Sequence, residues 1–130
     1  MSLLALSEEL PGCSAPAAPV DDRDLYRLMA LRYFDCCRKT PASKRCLVAA
    51  RVAAEQLGFA VDDLRVRSRR RKIALPRQKA MAFVRVITGA SHKEVGAIFD
   101  RSLATCFDAE KKFGYAITQA IRELPYESRK

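Results

Sequence analysis

Six cations, Arg65, Arg67, Arg69, Arg70, Arg71 and Lys72, fall within eight consecutive positions. Side chains this close repel one another and need water or an opposing charge. Val66 and Ile73 are the only strongly apolar residues near them that could anchor the segment to a core. Arg77, Lys79, Lys93 and Arg101 follow in the same half of the chain. Residues 1–64 carry 8 basic and 9 acidic side chains, net −1, whereas 65–130 carry 16 and 6, net +10, so the +9 of the 130-residue chain lies wholly in its second half. A concentrated positive field on a small domain favours a polyanion as partner: nucleic acid first, then an acidic membrane surface or an acidic protein. The alternative is a solvated basic face.

Other chemistry is poorly supported. His92 is the single histidine, and five cysteines (Cys13, Cys36, Cys37, Cys46, Cys106) are an odd set with no C-x-x-C pair, so zinc-site spacing is missing and no metal or cofactor is expected. The cysteines read as small apolar thiols in a reducing compartment. No carboxylate pair or nucleophile–base constellation accompanies His92, which reads as a solvated residue at a helix start, so no enzyme and no small-molecule substrate is expected. No apolar run approaches the roughly 18–20 residues of a membrane span. The N-terminus meets Glu8 and Glu9 after a few apolar residues, unlike a secretory signal. The expectation is a soluble cytoplasmic, nucleoid-associated protein.

The elements that must position these residues are helical. Residues 1–20 hold Pro11, Pro16 and Pro19 with Gly12 and Ser14, which predicts a disordered tail. Asp21 and Asp22 offer caps for a helix over about 22–38, carried by Leu25, Leu28, Met29 and Tyr33. Thr40-Pro41 opens a second helix with a stripe of Leu47, Ala50, Ala54 and Leu57, closed by Gly58 as a left-handed cap. Asp62-Asp63-Leu64 begins a short turn. Pro76 suits the first turn of a third helix that buries Ala80, Phe83, Val84 and Ile87 and ends at Gly89. Ser91-His92-Lys93-Glu94 fits a capping box ahead of a helix over about 92–99. Asp100-Arg101 leaves room only for a tight turn before Ser102 caps a long helix carrying Cys106, Ala109, Phe113, Ile117 and Ile121, terminated by Leu124-Pro125. Strand signals are almost missing, so the fold class is all-α: a helix-turn-helix domain of about five to six helices. The division is a tail at 1–20, an additional N-terminal helix at 21–40, the domain at 41–124 and a frayed end at 125–130.

A short capped helix, a tight turn and a longer helix form the helix-turn-helix arrangement, whose second helix can enter a DNA major groove by its first turn. Spacing alone also fits any pair of antiparallel helices; the neighbouring cations favour DNA. Residues 46–121 further resemble the C-terminal DNA-binding domain of the bacterial replication initiator DnaA, a Trp-repressor-like helix-turn-helix family. The matching stretches are Val52-Ala53, Asp63-Leu64, Arg69-Arg70-Arg71, Pro76-Arg77-Gln78 with Ala80-Met81, Ser91-x-x-Glu94-Val95-Gly96, Phe99, Arg101, Thr105 and Ala109. No G-x-x-x-x-G-K-[ST] occurs, so the resemblance implies the DNA-binding domain without its AAA+ module.

The resemblance places the family's minor-groove arginine on Arg69, its backbone-contacting Arg-Gln pair on Arg77-Gln78 and its turn arginine on Arg101. Arg69 would profit from the potential of a narrow A/T-rich groove; its alternative is a loop cation in water. For Arg101 the alternative is a surface salt bridge with Asp100 or Asp108. The expected DNA-binding set is Arg67, Arg69, Arg70, Arg71, Arg77, Gln78, Lys79, Lys93, Arg101, Ser102, Leu103, Ala104 and Thr105. The family's Gly-Gly-Arg-Asp-His-Thr-Thr is here Asp100-Arg101-Ser102-Leu103-Ala104-Thr105, one residue shorter, with Ser102, Leu103 and Ala104 in place of the base-reading Asp-His-Thr. Leucine and alanine can touch a thymine methyl but offer no donor or acceptor, so specificity for the initiator's usual box should be weakened or redirected. The function expected is double-stranded DNA binding by a small bacterial regulator of transcription or replication. The competing reading is a protein-interaction module on the same scaffold, with the helix at 22–38 covering the domain's flank or offering a homodimer or partner surface.

Overall fold

The computed structural model describes residues 22–65 and 71–125. The expected tail, all of the frayed end at 125–130 except Pro125, and the basic positions Arg67, Arg69 and Arg70 lie outside them. The described residues form six α-helices and no strand: α1 (Asp22–Cys37), α2 (Arg45–Gln56) after a 3-10 turn at Ala42–Lys44, α3 (Val61–Arg65), α4 (Arg71–Thr88), α5 (His92–Ile98) and α6 (Leu103–Arg122). The all-α reading holds.

The core assembles around α4. Its residues 80–84 are buried without a break, and α4 packs on α6 on one side and α2 on the other. α1 closes the bundle against α6 and α2, sending Tyr26, Met29 and Tyr33 into the same core as Phe83, Phe99 and Ile117. Burial of side chains this large stabilises by about 1.5–3 kcal/mol each. Most of the apolar surplus on α1 thus faces inward, leaving Leu28 and Leu31 exposed. Arg23 and Arg27 of α1 also approach Glu123, beyond the end of α6, at 3.7 and 3.6 Å.

Four local expectations are corrected. Thr40-Pro41 does not open α2, which begins at Arg45 with no side-chain cap from Lys44, while Thr40 Oγ1 donates back to the Cys36 carbonyl at 2.9 Å. Pro76 does not start its helix: α4 begins five residues earlier and holds Pro76 inside. The register brings Ile73 against the core, and Pro76, lacking an N–H, leaves one intrahelical bond unmade near the helix start. The turn expected at Asp62-Asp63-Leu64 is the five-residue helix α3, which buries Leu64. Leu47, expected on the apolar stripe of α2, is 60% exposed, whereas Ala50 and Ala54 of that stripe are buried together with Val48, Ala49, Val52 and Ala53, so the inward face is broader than the stripe and leaves Leu47 outside it. Gly58 and Gly89 have φ of +89° and +73°, the left-handed conformation their cap roles require.

Candidate nucleic-acid interface

The hairpin of α5 and α6 is built by side-chain caps. Ser91 Oγ accepts from the Glu94 amide at 3.2 Å, and Glu94 Oε1 accepts from the Ser91 amide at 3.2 Å, completing the capping box. Val95 and Phe99 are buried, so α5 is fixed by its apolar side as well as by its start. Ser102 caps α6 by accepting from the Thr105 amide at 3.3 Å.

Between the caps the chain turns in two residues. Asp100 takes φ of +55°, the left-handed region that an aspartate tolerates better than most residues. The Arg101 amide donates to the Gly96 carbonyl at 2.8 Å. Gly96 is required at this approach, because a Cβ there would lie 2.6 Å from the Arg101 carbonyl oxygen and 3.1 Å from that of Ser102. The shortened turn is therefore pressed directly onto α5.

Around this turn the expected residues separate into different roles. Arg101, half-buried, donates from Nη1 to the Asp100 carbonyl at 3.0 Å. Arg77 is 4% exposed, and burial, followed by the nearby charge of Arg101, lowers its pKa. Two guanidiniums thus lie within electrostatic reach of each other, Arg101 at the turn and Arg77 inside the domain rather than on its surface. Lys79 points elsewhere: its Nζ lies 3.0 Å from Asp22 Oδ2 of α1 and 5.9 Å from the Phe113 ring centroid, with 17% of the side chain exposed. Gln78 is half-buried and lines a cleft of about 470 Å³ with Thr105, Asp108, Lys111 and Lys112. A second cleft of about 430 Å³ runs between Ala97, Asp100, Arg101, Ser102 and Thr105. Thr105 lines both.

Lys93, Ser102, Leu103 and Ala104 are exposed. The hydroxyls of Ser102 and Thr105 lie 3.1 Å apart and bond each other, which engages two groups expected to face bases. Arg71 opens α4 within its first turn.

His92 corrects the expectation of a solvated side chain. Its Nε2 sits 2.6 Å from Glu110 Oε1 and 3.2 Å from Arg85 Nε, and its ring meets Phe107 edge-on at 5.3 Å. One nitrogen cannot both donate to Glu110 and accept from Arg85, so the network settles on one bond at a time. This contact ties α4, α5 and α6 together. Burial pushes the Cys106 thiol up to about 11, with Glu110 adding and Arg85 opposing. No group of three potential metal ligands occurs among the described residues, and no described helix is long and apolar enough to cross a membrane.

Phe107, Asp108, Lys111 and Lys112 stand exposed on the outer face of α6 but lie outside the expected set. The signal was present: Phe107 and Lys111 follow Leu103 at four-residue steps, the repeat of one helix face.

A family model described as the bacterial DnaA protein helix-turn-helix matches residues 49–113, which run from within α2 to the middle of α6 and include α5, the turn and the first half of α6. No solved structure matches the chain.

Proposed function

The chain belongs to the bacterial DnaA helix-turn-helix family and carries that family's DNA-binding domain, and on this premise we propose that it is a small regulator of transcription or replication acting on duplex DNA in the bacterial cytoplasm, at the nucleoid. The observation that carries the reading is the doubly capped hairpin, whose second helix presents an exposed first turn, Ser102 to Ala104, directly after Arg101, with Lys111 and Lys112 exposed further along the same helix and Lys93 exposed on α5.

In this reading the first turn of α6 enters the major groove, and Lys93, Arg101 and the 65–72 segment meet phosphates. Arg69, with Arg67, Arg70 and Arg71 beside it, reaches the minor groove. Arg77 acts from inside the domain, holding positive charge within electrostatic reach of Arg101, and Gln78 borders the groove through the cleft it shares with Thr105. Lys79 contributes through its ion pair, fixing α1 to α4. The domain binds and does not catalyse.

Engagement of five or six phosphates makes log K fall with log salt at a slope of about −5. Fluorescence anisotropy of the full chain on a mixed-sequence duplex between 50 and 200 mM salt measures that slope. A flat response, or no binding at low salt, rejects the reading. The exposed Leu103 favours one competitor, a protein-interaction module on the same scaffold. It predicts partner capture that survives Arg69→Ala with Arg101→Ala and no DNA retention at any salt.

A further inference from the structure

Three apolar side chains stand in water on the first two turns of α6: Leu103 at 56% exposure, Phe107 at 49%, and Ala104 beside them. The helix has a buried face of its own, with Cys106, Ala109 and Ile117 wholly inside, so these three are surplus to the core. Phe107 is held in place. The His92 ring packs edge-on against it at 5.3 Å, Lys111 Nζ lies 5.7 Å from its centroid, and His92 is tied to Glu110 at 2.6 Å. A ring fixed at the surface loses little freedom when something packs on it.

The surroundings state what that is. Lys93, Lys111 and Lys112 are exposed around the patch, which fits a polyanion better than an apolar or basic partner. At the tip the hydroxyls of Ser102 and Thr105 bond each other and Ser102 Oγ accepts the capping amide, so one of the two hydroxyl protons is committed within the protein, and the side chains of Leu103 and Ala104 between them offer none. Asp108 is exposed one position beyond Phe107 and can only accept when ionised. The apolar feature that a base edge offers in the major groove is the C5-methyl of thymine, and the groups that an acceptor can take there are the amino groups of cytosine and adenine.

Resting on the DNA-binding reading above, we propose that α6 selects its sites by thymine methyl groups packed against Leu103, Ala104 and Phe107, with Asp108 accepting from an adjacent cytosine or adenine amino group. Specificity is thereby redirected from hydrogen-bonded readout to methyl readout. Burial of one methyl is worth roughly fourfold in affinity, and two contacted thymines roughly fifteenfold.

The test uses the full chain and a random-sequence duplex library, followed by anisotropy titration of the selected duplex with each thymine replaced in turn by deoxyuridine. At least one replacement is expected to weaken binding about fourfold or more. Phe107→Ala and Leu103→Ala, both at exposed positions, are expected to shrink that difference while leaving the salt slope intact. Equal binding of thymine and uracil forms at every position overturns this inference alone, as does an unchanged thymine-to-uracil ratio in both variants. Absence of binding to either form at low salt overturns the DNA-binding reading along with it.

Discussion

Gly96→Ala tests whether the shortened turn is pressed onto α5 as described. The added Cβ would meet the Arg101 carbonyl oxygen at 2.6 Å, against an ordinary contact of 3.4 Å or more, and Ser102 O and C at 3.1 and 3.2 Å. All three are backbone atoms, so no side chain can swing aside, and the turn must retreat by several tenths of an ångström. Overpacking of this kind costs about 1–3 kcal/mol, and the upper end applies because the obstacle is backbone. Retreat also stretches the 2.8 Å bond from the Arg101 amide to the Gly96 carbonyl, worth about 1 kcal/mol. Alanine returns about 1 kcal/mol of helix propensity. The net expectation is a loss of about 2–3 kcal/mol. In urea denaturation followed by far-UV circular dichroism this lowers the midpoint by about 1 M or more with an unchanged slope. Gly114→Ala in α6 is the internal control. Its nearest obstacle, Glu110 Cγ at 3.1 Å, is a side-chain rather than a backbone atom, though Glu110 is held by His92, so that variant should stay within about 1 kcal/mol of the parent, well short of the loss at Gly96. A Gly96→Ala protein as stable as the parent refutes the packed turn and, with it, the placement of Ser102 to Thr105.

Other perturbations probe separate features. Tyr26 Oη is buried without a hydrogen-bond partner among the described residues, so Tyr26→Phe should keep or raise stability, by up to about 1 kcal/mol, in the same urea titration. Asp100→Gly relieves the left-handed aspartate and should stabilise by up to about 1 kcal/mol; it also removes a negative charge beside the groove and should tighten DNA binding by anisotropy. The Cys106 thiol titrates higher folded than unfolded, so its contribution is complete below about pH 9 and is lost as pH rises through about 11. Cys106→Ala should therefore show a shallower fall in stability between pH 9 and 11. Tyr26 and Tyr33, also raised by burial, respond at still more alkaline pH and alike in both proteins.

Much of this fold is written in local chemistry. Ser91 with Glu94, Ser102, Gly58 and Gly89 mark helix ends by hydrogen bonds and backbone angles that depend on a few neighbouring residues, and the structure places each cap there. What the local pattern misses depends on distant partners. Pro76 reads as a helix start until Ile73 is drawn to the core and carries the helix back to Arg71. Lys79 reads as a phosphate ligand until Asp22, 57 positions earlier, takes its charge. His92 reads as solvated until α6 brings Glu110 and Phe107 beside it. The cationic set is legible as a composition, yet burial sorts it: Arg77 is buried while Lys93 stands in water. No one-dimensional pattern distinguishes those two positions.

The central claim is that the hairpin face of α5 and α6 is the surface that meets duplex DNA. The most direct measurement is the amide ¹H–¹⁵N spectrum of the full chain during titration with a mixed-sequence duplex at low salt. Shifts should concentrate at Lys93, at Arg101 to Thr105, and at Asp108 and Lys112. The cleft lined by Phe34, Cys37, Cys46 and Thr88, at the other end of α4, should stay unchanged. Shifts centred on that cleft, or an unaltered spectrum, would contradict the account.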